Sequence, residues 1–113
     1  MNPADVIDRA TFDELKDTAG AEFVVDLVDT FLEEAPAMLA EVRAAAAAGE
    51  AVRLQRAAHS LKSNAHTFGA QTLGAAARAV ELGGLAAAGA DALAALQAEY
   101  LRAAAALQEL CRG

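Results

Sequence analysis

The sequence predicts an all-α fold: an up-and-down antiparallel four-helix bundle with a short extra helix at the N-terminus. Three observations carry that expectation. Of the 63 hydrophobic residues 33 are Ala, 14 are Leu and only one is Ile; Ala and Leu head the helix-propensity scale, whereas β-branched residues favour strands. Apolar residues recur at steps of three and four in successive segments, which is the period of one helix face. Short Gly-containing breaks separate those segments, so consecutive long helices are joined by a few residues and lie antiparallel. With 113 residues the chain forms one domain, 1–113, and its 30 larger apolar side chains fill a slim bundle rather than line a deep substrate pocket.

Each element has its own signal. Thr11-Phe12-Asp13-Glu14 has capping-box spacing, so a short helix is expected to start near Phe12 and to end at Gly20. From Ala21 to Ala48, the residues Phe23, Val24, Leu27, Phe31, Met38, Leu39 and Val42 trace one apolar stripe. Pro36 interrupts that stripe; it removes a backbone donor, and either a kink near Glu33 or a break into two helices is expected, the continuing stripe favouring the kink. Gly49 and Glu50 mark a tight turn. A third helix follows from about Ala51 to Thr67, before Gly69 supplies a left-handed stop. A fourth runs from about Ala70 through Leu73, Ala77 and Val80 toward Leu85, weakened by Gly83-Gly84. Gly89 and then Asp91, as N-cap, precede a last helix outlined by Leu93, Leu96, Tyr100, Leu107 and Leu110.

Composition excludes several classes. No run of 18 apolar residues is free of charge, and Asp5, Asp8 and Arg9 stand where an export signal needs a basic stretch and an apolar run. No membrane role and a cytoplasmic location are therefore expected; the starting Met and the closing Cys111-Arg112-Gly113 fit a free-standing protein. One cysteine, Cys111, forms neither an intrachain disulfide nor a thiolate zinc site. No metal site is expected: the residues three before His59 and His66 are Arg56 and Ser63, not the Glu of a carboxylate-bundle metal motif. The formal charge is −7, with no long basic run and one Tyr, which argues against nucleic acid as a partner. That charge is uneven. Residues 1–50 hold 12 acids and 3 bases, and residues 51–113 hold 4 acids and 6 bases. Between Ala51 and Val80 stand Arg53, Arg56, Lys62 and Arg78 and no acid, a local anion-attracting patch on an acidic body.

The third helix concentrates the chemistry. At about 100° per residue, Leu54, Ala58, Leu61, Ala65 and Phe68 share the buried side. His59 falls about 140° away, together with Gln55, Arg56, Lys62, Ser63 and His66. The imidazole is thus expected to face solvent between Arg56 and Lys62, which oppose protonation of the ring and favour its neutral, nucleophilic form. The same cations attract a phosphoryl group and steady its equatorial oxygens, and the small Ser63 leaves the approach to the ring open. Spacing alone does not separate this histidine from an ordinary surface one.

The string Ala58-His59-Ser60-Leu61-Lys62-Ser63-Asn64-Ala65-His66-Thr67-Phe68-Gly69-Ala70 is more specific, and it resembles the motif of histidine-phosphotransfer (HPt) domains of multistep phosphorelays. His59, Leu61, Lys62, Ser63, Phe68 and Gly69 stand at the matching positions. Phe31-Leu32-Glu33-Glu34-Ala35-Pro36 and the Ala-rich turn at Gly49 resemble the preceding long helix of such domains. The resemblance implies a phosphoryl carrier rather than an ATP-dependent kinase. Within it His59 is the phospho-acceptor, Lys62 the electrostatic partner of the phosphoryl group, and Ser63 the small position that admits a receiver domain, where the family most often has Gly. Val52, Gln55, Arg56, Ser63 and His66 are then the partner-binding residues, and His66 is given no acceptor role. The implied partners are response-regulator receiver domains and hybrid histidine kinases. The protein itself is expected to be a monomer without a cofactor, with magnesium held by the partner. Two other readings compete: a non-catalytic helical adaptor, which has no need of the His-x-Leu-Lys pattern, and an acyl-carrier-like bundle, whose attachment Ser belongs at a helix start rather than mid-helix as Ser60 is.

Overall fold

The computed structural model describes residues 6–112; residues 1–5 and Gly113, which the expected single domain includes, lie outside the described residues. Among the described residues the chain forms five α-helices and no strand: α1 (Arg9–Ala19), α2 (Ala21–Ala48), α3 (Ala51–Thr67), α4 (Gln71–Gly83) and α5 (Ala90–Arg112), with a 3₁₀ turn at Gly84–Ala87 between the last two. α3 packs on α2 and α4, and α5 packs on α4 and α2, so the four longer helices surround one core; α1 lies against α2 and α3. The longest dimension, 41 Å, is about the length of the 28-residue α2 at 1.5 Å per residue.

α1 begins earlier than its capping-box signal implies. Asp8, not Thr11, is the N-cap: its carboxylate accepts from the Thr11 amide at 3.3 Å and the Thr11 hydroxyl at 2.5 Å. A carboxylate is the stronger acceptor at the positive end of a helix, which moves the start forward by a turn. The Asp8 amide in turn donates to the Gly69 carbonyl at 2.7 Å and ties the start of α1 to the end of α3. Gly69 has φ +77°, and a Cβ there would lie 2.7 Å from the Asp8 carbonyl oxygen, so both backbone conformation and close approach require glycine.

α2 keeps the expected bounds, and its buried line is Val24, Val28, Phe31, Ala35, Leu39, Val42 and Ala45. Phe23, expected in the stripe, is 55% exposed; it precedes Val24 by one residue, about 100° around the helix, which turns it off the core face. Pro36 does not break the helix. Its missing amide leaves the Leu32 carbonyl without its usual intrahelical donor, and the Tyr100 hydroxyl of α5 donates to that oxygen at 3.3 Å. An orphan created in one helix is thus satisfied from another, and α2 runs on.

The core has no buried polar or charged residue among the described residues. Phe31 stacks on Phe68 at 5.2 Å and meets Tyr100 edge-on at 6.3 Å, joining α2, the end of α3 and α5. Asp91 is not the N-cap of α5. The Leu93 amide bonds the Gly89 carbonyl, the helix starts at Ala90, and Asp91 sits in the first turn.

Candidate functional site

α3 and α4 form a helical hairpin across Phe68–Ala70. Because the link is so short, residues equidistant from position 70 face each other. The His66 ring lies against Gly74, where an added Cβ would come 2.7 Å from its Cε1 atom, and His59 meets Glu81. Both pairs are centred on residue 70, as an antiparallel register demands.

The buried side of α3 is the expected one: Leu54, Ala58, Leu61, Ala65 and Phe68 are all buried. That orientation turns the side chain of His59 outward, 58% exposed. Its Nδ1 lies 2.6 Å from Glu81 Oε2, and the other carboxylate oxygen, Oε1, lies 2.7 Å from Lys62 Nζ. The Glu81 side chain is only 10% exposed, and that of Lys62 is 22% exposed. Lys62 and His59 together hold the Glu81 carboxyl below its ordinary range, against the opposing effect of burial. An ionised carboxylate only accepts hydrogen bonds, so the contact requires the proton on Nδ1 and leaves the Nε2 lone pair directed away from Glu81.

This corrects the electrostatic expectation. The charged group in hydrogen-bonding contact with the imidazole is an acid rather than a flanking cation. The Lys62 ammonium is directed to that acid. Nor is the acid-free stretch a free basic patch: Arg53 bonds Glu41 at 2.5 and 2.8 Å and Glu50 at 2.6 Å, which raises its affinity for its proton further. Arg56 and Arg78 have no ion-pair partner among the described residues.

Gln55, Arg56, Ser63 and His66 are exposed, as expected, and Val52 is 61% exposed. An open recess of about 460 Å³ is lined by Gln55, Arg56, His59, Ser60 and Glu81. Val52, Arg56 and Ser60 line a second groove that extends toward Glu41 and Glu50. Ser63 and His66 line neither; His66 is drawn to Gly74 instead. Glu81 was missed in sequence because it lies on another helix. Leu82, the residue after it, is 67% exposed and was not singled out either. Among the described residues no group of three or more His, Cys, Asp and Glu is placed to hold a metal ion, and no helix is long and apolar enough to cross a membrane.

A fold that is helical throughout the described residues and presents the solvent-facing His59 imidazole with its Nδ1 engaged and its Nε2 open has the build of a histidine phosphocarrier module. The family model of the Hpt domain matches residues 26–112, and the chain belongs to the Hpt domain family. Members of that family act in phosphorelays as phosphocarriers rather than kinases and interact with receiver domains. No curated protein and no solved structure matches the chain.

Proposed function

We propose that this protein shuttles a phosphoryl group between receiver-domain aspartates, holding it on Nε2 of His59. The observation that carries this reading is the exposed imidazole whose Nδ1 is engaged by Glu81. In the forward step the Nε2 lone pair attacks the phosphorus of an aspartyl phosphate. The P–O bond breaks, its electron pair leaves on the aspartate carboxylate, and the ring becomes a phosphorylated imidazolium that keeps its Nδ1 proton. Glu81 is placed to match the positive charge that develops on the ring. In the return step a second aspartate attacks the phosphorus and the N–P electrons revert to Nε2; no proton changes hands. Magnesium, held in the partner's acidic pocket, would supply charge neutralisation at the phosphoryl oxygens.

Several finer features belong to the same proposal. The pairwise helix contacts support an up-and-down antiparallel four-helix bundle forming a single domain, and the protein acts as a cytoplasmic monomer. Val52, Gln55, Arg56 and Ser63 surround the approach to His59 or flank it on the exposed side of α3, and they supply the docking surface, with His66 at its far end. The competing adaptor reading, in which receivers or kinases bind without transfer, leaves the His59–Glu81–Lys62 arrangement without a use. The deciding experiment is incubation with a phosphorylated receiver domain. Wild type and His66→Gln take up label and His59→Gln does not; equal labelling of wild type and His59→Gln rules the assignment out.

A further inference from the structure

We propose that Arg56, not Lys62, is the cation that holds the phosphoryl oxygens on His59; this rests on the phosphocarrier reading above. Of the four bases between Ala51 and Val80, two are already committed. Arg53 is clamped by Glu41 and Glu50, and Lys62 lies 2.7 Å from Glu81 Oε1. Moving the Lys62 ammonium off Glu81 and onto a phosphoryl group would take the lysine contact from a carboxylate that is 10% exposed, just as a second anion arrives beside it. The attraction gained at the phosphoryl group would be offset by the attraction lost at Glu81 and by repulsion between the two anions.

Arg56 has no such conflict. It is exposed, has no ion-pair partner among the described residues, stands one turn before His59, and lines the same recess as His59, Ser60 and Glu81. Its planar fork of N–H donors matches two phosphoryl oxygens at once, which a lysine ammonium does not. Arg78, the other unpaired base, lines neither His59 recess nor adjoining groove. The arrangement divides the work: Lys62 fixes Glu81, Glu81 fixes the ring, and Arg56 receives the incoming charge.

The test uses the full chain and phosphoramidate, a small donor that needs no docking surface. The Nε2 lone pair attacks phosphorus, the donor's P–N bond breaks and ammonia leaves with the electron pair. Labelling rate and phosphohistidine lifetime are followed by ³¹P NMR, and the ring tautomer of the unlabelled protein by ¹⁵N NMR. Arg56→Ala is expected to slow labelling roughly ten- to a hundredfold, the size of one charge-assisted contact, with the tautomer signature unchanged. Arg56→Lys should recover part of the loss, and Arg78→Ala should stay near wild type. Lys62→Ala is expected to alter the tautomer signature together with the rate. Labelling of Arg56→Ala at the wild-type rate overturns the proposal, as does a slow Lys62→Ala whose tautomer signature is intact. A wild type that takes no label, or a His59→Gln variant that does, overturns the phosphocarrier reading itself and is told apart by those two controls.

Discussion

The carboxylate of Glu81 on α4 meets Nδ1 of His59 on α3 at 2.6 Å, so the orientation of the outward-facing imidazole is set from the neighbouring helix. Removing that carboxylate should leave the fold in place and degrade the nucleophile. For Glu81→Ala the expected outcome is a loss of about tenfold or more in labelling at His59, the scale seen when a group that orients a functional imidazole is removed. ¹⁵N NMR should show a larger share of the ring with its proton on Nε2. Unchanged labelling and an unchanged tautomer would mean that the contact does not govern reactivity.

Acid should destabilise the protein through three carboxyls. Glu81, Glu41 and Glu99 are each held below the ordinary value of 4.5 by neighbouring bases: Lys62 and then His59 for the first, Arg53 for the second, Arg102 for the third. A depressed folded-state value means that the unfolded chain binds protons first. The contribution is therefore present above about pH 4.5 and is lost as pH falls through the lower folded values. Thermal melts of wild type should show the melting temperature dropping more steeply below that pH than in the Glu41→Gln/Glu81→Gln/Glu99→Gln variant.

The bond from Tyr100 to the Leu32 carbonyl should matter only while residue 36 is proline. Tyr100→Phe is expected to cost about 1 kcal/mol in urea unfolding, the net worth of such a hydrogen bond. In a Pro36→Ala background, where an amide again serves Leu32, the same change should cost a few tenths at most. Equal costs in both backgrounds would show that the hydroxyl does not substitute for the missing helix donor.

Ser63 offers a separation of docking from chemistry. It is exposed four residues after His59, so Ser63→Gln places bulk one turn along the same face without touching the ring's contact with Glu81. Phosphoryl uptake from a receiver domain should fall by at least about tenfold, since a small misplacement of the reacting atoms is that costly. Uptake from phosphoramidate should stay within about twofold. A parallel loss with both donors would place Ser63 in the chemistry rather than at the interface.

Much of this arrangement was legible in the sequence wherever one helix determines it. The bounds of α2 and α3, the Gly49 and Gly69 stops, and the outward turn of His59 follow from periodicity and left-handed glycines, which are local properties. What was not legible depends on two elements at once. The helical wheel of α3 places Lys62 beside His59 and makes both look electropositive; only the hairpin shows that Glu81, 22 residues on, lies between them. A signal did exist: a tight turn at Gly69 pairs positions equidistant from 70, and the acid that ends the acid-free stretch is the residue so paired with His59. Pro36 looks disruptive in one helix for the same reason, since its remedy, Tyr100, comes from α5. The Asp8 cap is not signalled by a capping box, since Thr11 rather than Glu or Gln stands three residues on; its carboxylate takes the Thr11 amide and hydroxyl while its own amide is held by the Gly69 carbonyl from the end of α3.

The turn at Phe68–Ala70 therefore acts as a ruler. One residue added or removed there would rotate α4 by about 100° relative to α3 and bring Val80 or Leu82, instead of Glu81, opposite the imidazole. Length changes at Gly49, or in the Gly84–Gly89 connection, would leave that alignment alone. Among descendants of this chain, indels should accumulate in those outer connections and be purged from the inner one, even in lineages where every side chain of the motif is retained.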